Sequence, residues 1–308
     1  MKLSIIVPVF NEEEVIRKFY DVISKTLENK KYELLFINDG STDKTTKILK
    51  NMHQNDKECV KIVNFSRNFG KEAAIYAGLK ASNGDYTAII DADLQQNPKY
   101  LLEMKEFLDN NEEYDEICMI QKGVKKRGFQ NLFYKMISKL SKIEFVSGAS
   151  DFRMFRKYVK DSILEMTEVN RFTKGIFSFI GFKTFYKPYV VEARKGGKTK
   201  WKFKDLISYA INGIIGYSTS PLKVATYIGV ITSLIAVVYS IILFIRTLIM
   251  GIDLPGYAST LCIVLFLGGI QLLCMGILGE YMSKTYLETK KRPIYIAKEK
   301  IGFDDNIL

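Results

Sequence analysis

The sequence is poor in the residues that carry most proton and metal chemistry. Its only histidine, His53, sits in a polar stretch after a predicted helix. Histidine-based acid–base catalysis and histidine-ligated metal are therefore excluded. Four cysteines, Cys59, Cys118, Cys262 and Cys274, fit no zinc spacing and read as reduced thiols. No Gly-x-Gly-x-x-Gly follows a strand-like run, which argues against a dinucleotide-dependent dehydrogenase. No secretory leader is legible: Leu3–Val9 is apolar but short, and it runs straight into Asn11-Glu12-Glu13-Glu14. There is no internal repeat and no low-complexity segment. Any base or metal ligand must be a carboxylate or an amide oxygen.

What the chain does have is cationic charge and two long apolar runs. The 308 residues carry a net charge of +11, which calls for an acidic partner: nucleic acid, anionic lipid or a phosphorylated substrate. Val224–Ile245 and Tyr257–Gly279 hold no charged residue. At about 1.5 Å per residue each covers roughly 33 Å, enough to cross a bilayer core. Lys223 precedes the first run, and Lys284, Lys290, Lys291 and Arg292 follow the second, while the loop between holds only Arg246 and Asp253. The positive-inside rule then predicts an integral protein of the cytoplasmic membrane with both termini cytoplasmic. The expected organisation is a cytoplasmic domain over 1–220, two transmembrane helices within 221–283 (about 224–245 and 257–279), and a cytoplasmic tail over 284–308.

Within the first domain, Leu3–Val7, Glu33–Ile37, Val60–Phe65 and Tyr86–Ile90 read as strands. Glu13–Leu27, Lys44–Met52 and Glu72–Ala81 read as helices between them. This alternation predicts an α/β fold with a mostly parallel sheet. Each strand ends in a polar cluster: Asn11-Glu12, Asp39-Gly40-Ser41, Ser66-Arg67-Asn68 and Asp91-Ala92-Asp93. Ligands of open α/β sheets bind at that edge. In Asp91-Ala92-Asp93-Leu94-Gln95, alternate residues aim oxygen ligands into one crevice, which suits Mg²⁺ or Mn²⁺ gripping a diphosphate.

Taken together these residues resemble glycosyltransferase family 2, with its GT-A nucleotide-sugar-binding fold. Ile6-Val7-Pro8-Val9-Phe10-Asn11-Glu12 is similar to that family's first strand and base-contacting loop, and Asn38–Asp43 to its second-strand motif. The resemblance implies nucleotide-sugar contacts from Pro8, Phe10, Glu12, Asp39, Asp91, Ala92 and Asp93, and metal binding by Asp93 and Gln95. Further segments resemble the polyprenyl-phosphate hexose synthases, relatives of dolichyl-phosphate mannose synthase. They are Phe65–Glu72, Ser150–Arg153, Asn170–Gly175, Arg194 with Gly197 and Lys200, Gly279-Glu280-Tyr281 and Lys291-Arg292-Pro293. Arg194 and Lys200 would then help to hold the diphosphate, and Asp151 stands where the family's presumed base sits. Gln96-Asn97, Phe155 and Lys198 depart from the common pattern, which weakens any transfer of sugar specificity.

The acceptor implied is a polyprenyl phosphate, undecaprenyl phosphate in a bacterium. A phosphate monoester has a second pKa of about 6 and is already anionic at neutral pH. It needs cations more than a base, and Arg127, Arg153, Arg171 and Lys174 are the candidates. Asp151 is expected to orient that phosphate or share its proton during an inverting displacement, with Asp93 and Arg153 completing the catalytic set. The alternative is a strand-end carboxylate paired with Arg153 or Arg171. Apolar residues recur at helical spacing near 127–145 and 201–216, flanked by lysines and Trp201, and predict two interfacial helices. UDP-glucose is the favoured donor, with UDP-N-acetylglucosamine and GDP-mannose behind it. The rival readings are a processive polysaccharide synthase, whose Gln-x-x-Arg-Trp motif is missing, and a non-catalytic membrane partner binding carrier lipid. The cations gather near the membrane-proximal helices and tail, so the expected partners are membrane lipids, not nucleic acid. Two bare spans are expected to pack as a homo-oligomer.

Overall fold

The structure is a computed structural model, described over residues 2–28, 30–122, 146, 148–191, 213–250 and 256–303. Its first half alternates β1 (Leu3–Val9), α1 (Ile16–Thr26), β2 (Tyr32–Asn38), α2 (Thr45–Asn55), β3 (Val60–Phe65), α3 (Lys71–Ala81), β4 (Tyr86–Ile89) and α4 (Lys99–Asn110). There follow β5 (Glu116–Lys122), β6 (Ala149–Arg156), α5 (Lys157–Glu165), α6 (Thr173–Phe179) and β7 (Thr184–Val190). Two long helices, α7 (Ser220–Met250) and α8 (Tyr257–Thr289), precede a last strand, β8 (Ala297–Ile301).

All eight strands join one sheet in the order β7-β5-β6-β4-β1-β2-β3-β8. The β4-β1-β2-β3 block is parallel, β6 is antiparallel to both its neighbours, and β7 runs parallel to β5. The central strands are apolar on both faces because helices cover both. Ile5, Val7 and Phe36 pack towards α1, α2 and α4, while Ile6, Leu35 and Ile37 pack towards α3, α5 and α6. Each fully buried side chain of this size contributes about 1.5–3 kcal/mol.

The face of α3 on the sheet is made of Ala73, Ala74, Ala77 and Gly78. A Cβ on Gly78 would lie 2.3 Å from Ile6 Cγ2, so the helix backbone approaches β1 as closely as only glycine allows. That contact sets how closely α3 lies on β1, and α3 begins at the C-terminal edge of the parallel strands.

The structure adds four strands that the sequence reading did not give, β5 to β8. Within the expected tail, β8 pairs antiparallel with β3, Glu299 opposite Asn64. Tyr295 stacks on Phe65 at 4.8 Å between centroids. Helices α7 and α8 are long and apolar enough to cross a membrane. Their 31 and 33 residues run past the apolar stretches read from the sequence. The extra turns of α8 reach the globular domain, where the Glu288 carboxylate accepts the N–H groups of Val169 and Asn170 at 2.9 and 3.0 Å. The expected interfacial helix near 127–145 lies outside the described residues, as does most of the one near 201–216.

Candidate active site

Four loops meet at the C-terminal edge of the parallel strands and are stitched by backbone hydrogen bonds. Asn11 N–H donates to Ser41 Oγ at 2.9 Å, Glu12 N–H to Thr45 Oγ1 at 2.9 Å, and Thr42 N–H to Asn11 Oδ1 at 2.8 Å. Pro8, Phe10 and Glu12 are half-buried along this seam. Asp39 is buried, and its two carboxylate oxygens accept Phe69 N–H at 2.6 Å and Gly70 N–H at 2.9 Å. Asp39 thus holds the turn that starts α3. Gly70, at φ +98°, supplies the left-handed residue of that turn.

The Asp91–Gln95 segment is tightly held. Gln96 clamps Asp91 from both sides: Asp91 N–H donates to Gln96 Oε1 at 2.9 Å, and Gln96 Nε2 donates to Asp91 Oδ2 at 3.0 Å. The departure from the family pattern at Gln96 therefore has a local role. Gln95 N–H donates to Asp93 Oδ1 at 3.1 Å. Between them Leu94 sits at φ +59°, a strained backbone for a bulky side chain. Its side chain is buried in the core, which holds it there. Ala92 is buried beneath.

Asp151, on β6, faces the same crevice. Its partner is neither Arg153 nor Arg171 but Lys71, the first residue of α3. Lys71 Nζ lies 2.7 Å from Asp91 Oδ1 and 3.0 Å from Asp151 Oδ2. One ammonium thus joins the two acids. Burial alone would raise the Asp151 pKa, but the Lys71 charge, then Lys174 and Arg153, hold its carboxyl well below the usual range. Burial lowers the Lys71 pKa, but the two acids outweigh that and hold it above the usual lysine range.

Beside Lys71, Glu72 turns inward and accepts both the N–H and the hydroxyl of Thr173. Burial, then the Asp151 charge, push its pKa up to about 7 against those hydrogen bonds. Thr173 opens α6, so the segment carrying Arg171 and Lys174 is fastened to α3 at one end and to Glu288 at the other.

The expected phosphate cations are placed unevenly. Arg153 is buried rather than an open fork. It stacks on Phe177 at 3.8 Å, donates to Ser150 O at 3.2 Å and lies 3.6 Å from Glu116. With Lys174, Ser178 and Tyr186 it lines a small pocket. Arg171 lies over Tyr76 at 4.4 Å and donates to Met166 O. Arg127, Arg194 and Lys200 lie outside the described residues. His53 serves structure alone among the described contacts, its Nδ1 2.6 Å from Val60 O. Among the described residues no three His, Cys, Asp or Glu side chains gather into a ready cation cage.

Lys71 and Glu72, quoted only within the Phe65–Glu72 segment, and Glu116 were given no role in the sequence reading, and Gln96 was noted only as a departure from the family pattern. Lys71 did leave a signal. A lysine in the first turn of a helix opposes the helix dipole and calls for an acid partner.

This fold and edge define a GT-A glycosyltransferase. Residues 4–170 match the family model Glycosyl transferase family 2, and residues 220–285 match the GtrB C-terminal hairpin. The chain belongs to glycosyltransferase family 2 and carries a GtrB-type hairpin over residues 220–285. It is 40% identical to the putative glycosyltransferase CsbB of Bacillus subtilis (strain 168), over 96% of this chain and 91% of that one. It is 40% identical to the prophage bactoprenol glucosyl transferase homolog of Escherichia coli (strain K12), over 97% and 99%. It is 38% identical to the bactoprenol glucosyl transferase of Shigella phage SfX, over 97% and 100%. Among solved structures, glucosyl-3-phosphoglycerate synthase from Mycobacterium tuberculosis, in complex with Mn²⁺, UDP-glucose and phosphoglyceric acid, shares the fold. Its TM-score is 0.51 at 17% identity, over 70% of this chain and 79% of that one.

Proposed function

We propose that this glycosyltransferase moves glucose from UDP-glucose onto polyprenyl phosphate, undecaprenyl phosphate in a bacterial membrane, at the cytoplasmic face. The observation that carries the reading is the joining of Asp91 and Asp151 through Lys71 at one sheet edge, two residues from Asp93, in a chain that also carries two membrane-length apolar helices. The relatives named bactoprenol glucosyl transferases, similar along nearly their whole length, support the acceptor and the sugar.

The chemistry is one displacement. An acceptor phosphate oxygen forms a bond to the anomeric carbon, the bond from that carbon to the diphosphate oxygen breaks, and the electron pair leaves on UDP. The acceptor arrives ionised, so Asp151 need not remove a proton. Its depressed pKa suits an orienting role better than a basic one. Pro8, Phe10, Glu12 and Asp39 frame the nucleotide, Asp39 by fixing the Phe69–Gly70 turn. Asp91 and Ala92 lie on the ribose–diphosphate side, where Arg194 and Lys200 join them by resemblance. Asp93 and Gln95 would hold a Mg²⁺ or Mn²⁺ ion through their side-chain oxygens. When bound, such an ion offsets charge on the leaving diphosphate. Arg153, Arg171 and Lys174 are the candidates to hold the acceptor phosphate, with Arg127 joining them by sequence alone. Both termini face the cytoplasm, and the exposed apolar faces of α7 and α8 pack against lipid and further copies of the chain.

The test is a transfer assay on the full chain in detergent, with undecaprenyl phosphate, Mg²⁺ or Mn²⁺, and labelled UDP-glucose, UDP-N-acetylglucosamine or GDP-mannose in turn. Label should enter the organic phase from UDP-glucose and vanish with chelator. Polymer in the aqueous phase would revive the polysaccharide synthase. Nucleotide binding with no labelled lipid from any donor would remove the lipid-phosphate acceptor.

A further inference from the structure

Lys71 has no place in the displacement as written, yet it is the group that joins the two halves of the site. Its ammonium meets Asp91 on β4's end and Asp151 on β6 at 2.7 and 3.0 Å. The strands that carry these acids, β4 and β6, are neighbours, but the hydrogen-bonded register between them spans only Tyr86–Ile89 and Arg153–Arg156. Beyond it nothing in the ladder fixes Asp91 against Asp151. Two bare carboxylates left close together would repel and turn apart. A single cation between them holds their oxygens within two hydrogen-bond lengths of each other.

The origin of that cation is itself over-determined. Gly70 N–H and Phe69 N–H are held by Asp39, and α3 is pressed onto β1 through Gly78. Glu72, the next residue, is fastened to Thr173, one residue from Lys174. The Lys71 side chain is 41% exposed, so the bridge lies at the open edge of the sheet and not in the core. A buried structural pair would be closed off. This one lies open in the crevice, at the boundary between the two substrates' sides.

We propose that Lys71 is a positioning residue that sets the distance between the donor-side carboxylate Asp91 and the acceptor-side carboxylate Asp151. This rests on the reading of the two sides given above. Its consequence is separable from that reading: losing Lys71 should slow the reaction of bound substrates more than it weakens the binding of either one. A misplacement of reacting groups by about an ångström costs roughly 100-fold in rate.

The experiment compares full-length wild type, Lys71→Met and Lys71→Arg in detergent. It measures UDP binding, melting temperature, and kcat and KM for UDP-glucose and undecaprenyl phosphate. Lys71→Met should melt near wild type, bind UDP within about threefold, and lose roughly 100-fold in kcat with little change in either KM. Lys71→Arg, which keeps the charge, should recover at least about a tenth of the lost turnover. A Lys71→Met enzyme with wild-type kcat overturns the proposal while leaving the transferase reading intact. Equal losses in UDP binding and kcat/KM with unchanged kcat also overturn it, and make Lys71 a plain donor contact. If Lys71→Met does not fold, Lys71→Arg decides: a loss of up to about tenfold in kcat with both KM values unchanged supports a spacing role, and an unchanged kcat or a KM defect alone contradicts it. Failure of the transferase reading would look different, because wild type itself would make no labelled lipid.

Discussion

The sheet carries an acid–lysine cluster at each end, and the two are built in opposite senses. At the N-terminal edge one acid is surrounded by donors: Glu33 accepts Lys2 and Lys61 ammonium groups at 2.9 Å each, Ser4 Oγ at 2.6 Å and Asn83 N–H at 3.0 Å. Its carboxylate is fully buried, and every oxygen is satisfied. Burial would raise its pKa, but Ser4, Asn83 and the two lysines bring it down to about 2. At the C-terminal edge one cation is surrounded by acids, in an open crevice beside a strained Leu94. The first arrangement has no work left for a ligand. The second keeps an excess of acid around a lysine at the open edge, which is the mark of a site that expects a diphosphate and its counter-ion. The same residue types thus serve stability at one end and chemistry at the other, and what separates them is completeness of the hydrogen bonding.

That contrast can be broken by substitution. The largest expected effect is at Asp93: Asp93→Ala should lower transfer by about 1,000-fold with little change in melting temperature, read from labelled lipid and a thermal melt. Glu33→Gln should do the reverse. Its folded pKa lies below the unfolded value, so its contribution is present above about pH 4.5 and is lost as pH falls through about 2. At neutral pH the substitution should cost on the order of 3 kcal/mol, seen as a melting point several degrees lower, with kcat per folded molecule unchanged. A kcat defect in Glu33→Gln would break the division of labour.

Glu72 tests the join between the clusters' surroundings. Its pKa is raised in the fold to about 7, so ionising it costs more folded than unfolded. Stability should be greatest below about pH 4.5 and fall as pH rises towards 7, and Glu72→Gln should flatten that slope in melts taken across the range. The smallest effect belongs to the Lys50–Glu299 pair that ties β8 to α2. Both partners are about two-fifths exposed, so Lys50→Ala should cost less than about 1 kcal/mol. A larger loss in the melt would mean that β8 matters more than a surface pair implies.

How much of this was legible is uneven, for physical reasons. β1 to β4 are near-continuous apolar runs followed by turn residues, the pattern of strands buried on both faces, and β3 was readable to its end residues. β8 was not, because Ala-Lys-Glu-Lys-Ile reads as a solvated tail; charged edge strands look like loops until their partner is known. The membrane spans were legible as apolar runs, but their extra turns into polar sequence were not. Asp91, Asp93 and Asp151 could be chosen from motif and strand position. That Asp151 pairs with Lys71 depends on a β6–α3 juxtaposition, and that Arg153 is buried against Glu116 and Phe177 depends on the packing of β6 with β5 and α6; no local pattern encodes either.

The most direct measurement is the effect of Asp151→Asn on transfer of labelled glucose from UDP-glucose to undecaprenyl phosphate, with UDP binding measured on the same preparation. The variant should bind UDP as wild type does and form labelled lipid at least about 100-fold more slowly. Near-normal turnover would contradict the assignment of this sheet edge, and of Asp151 within it, as the place where the sugar is transferred.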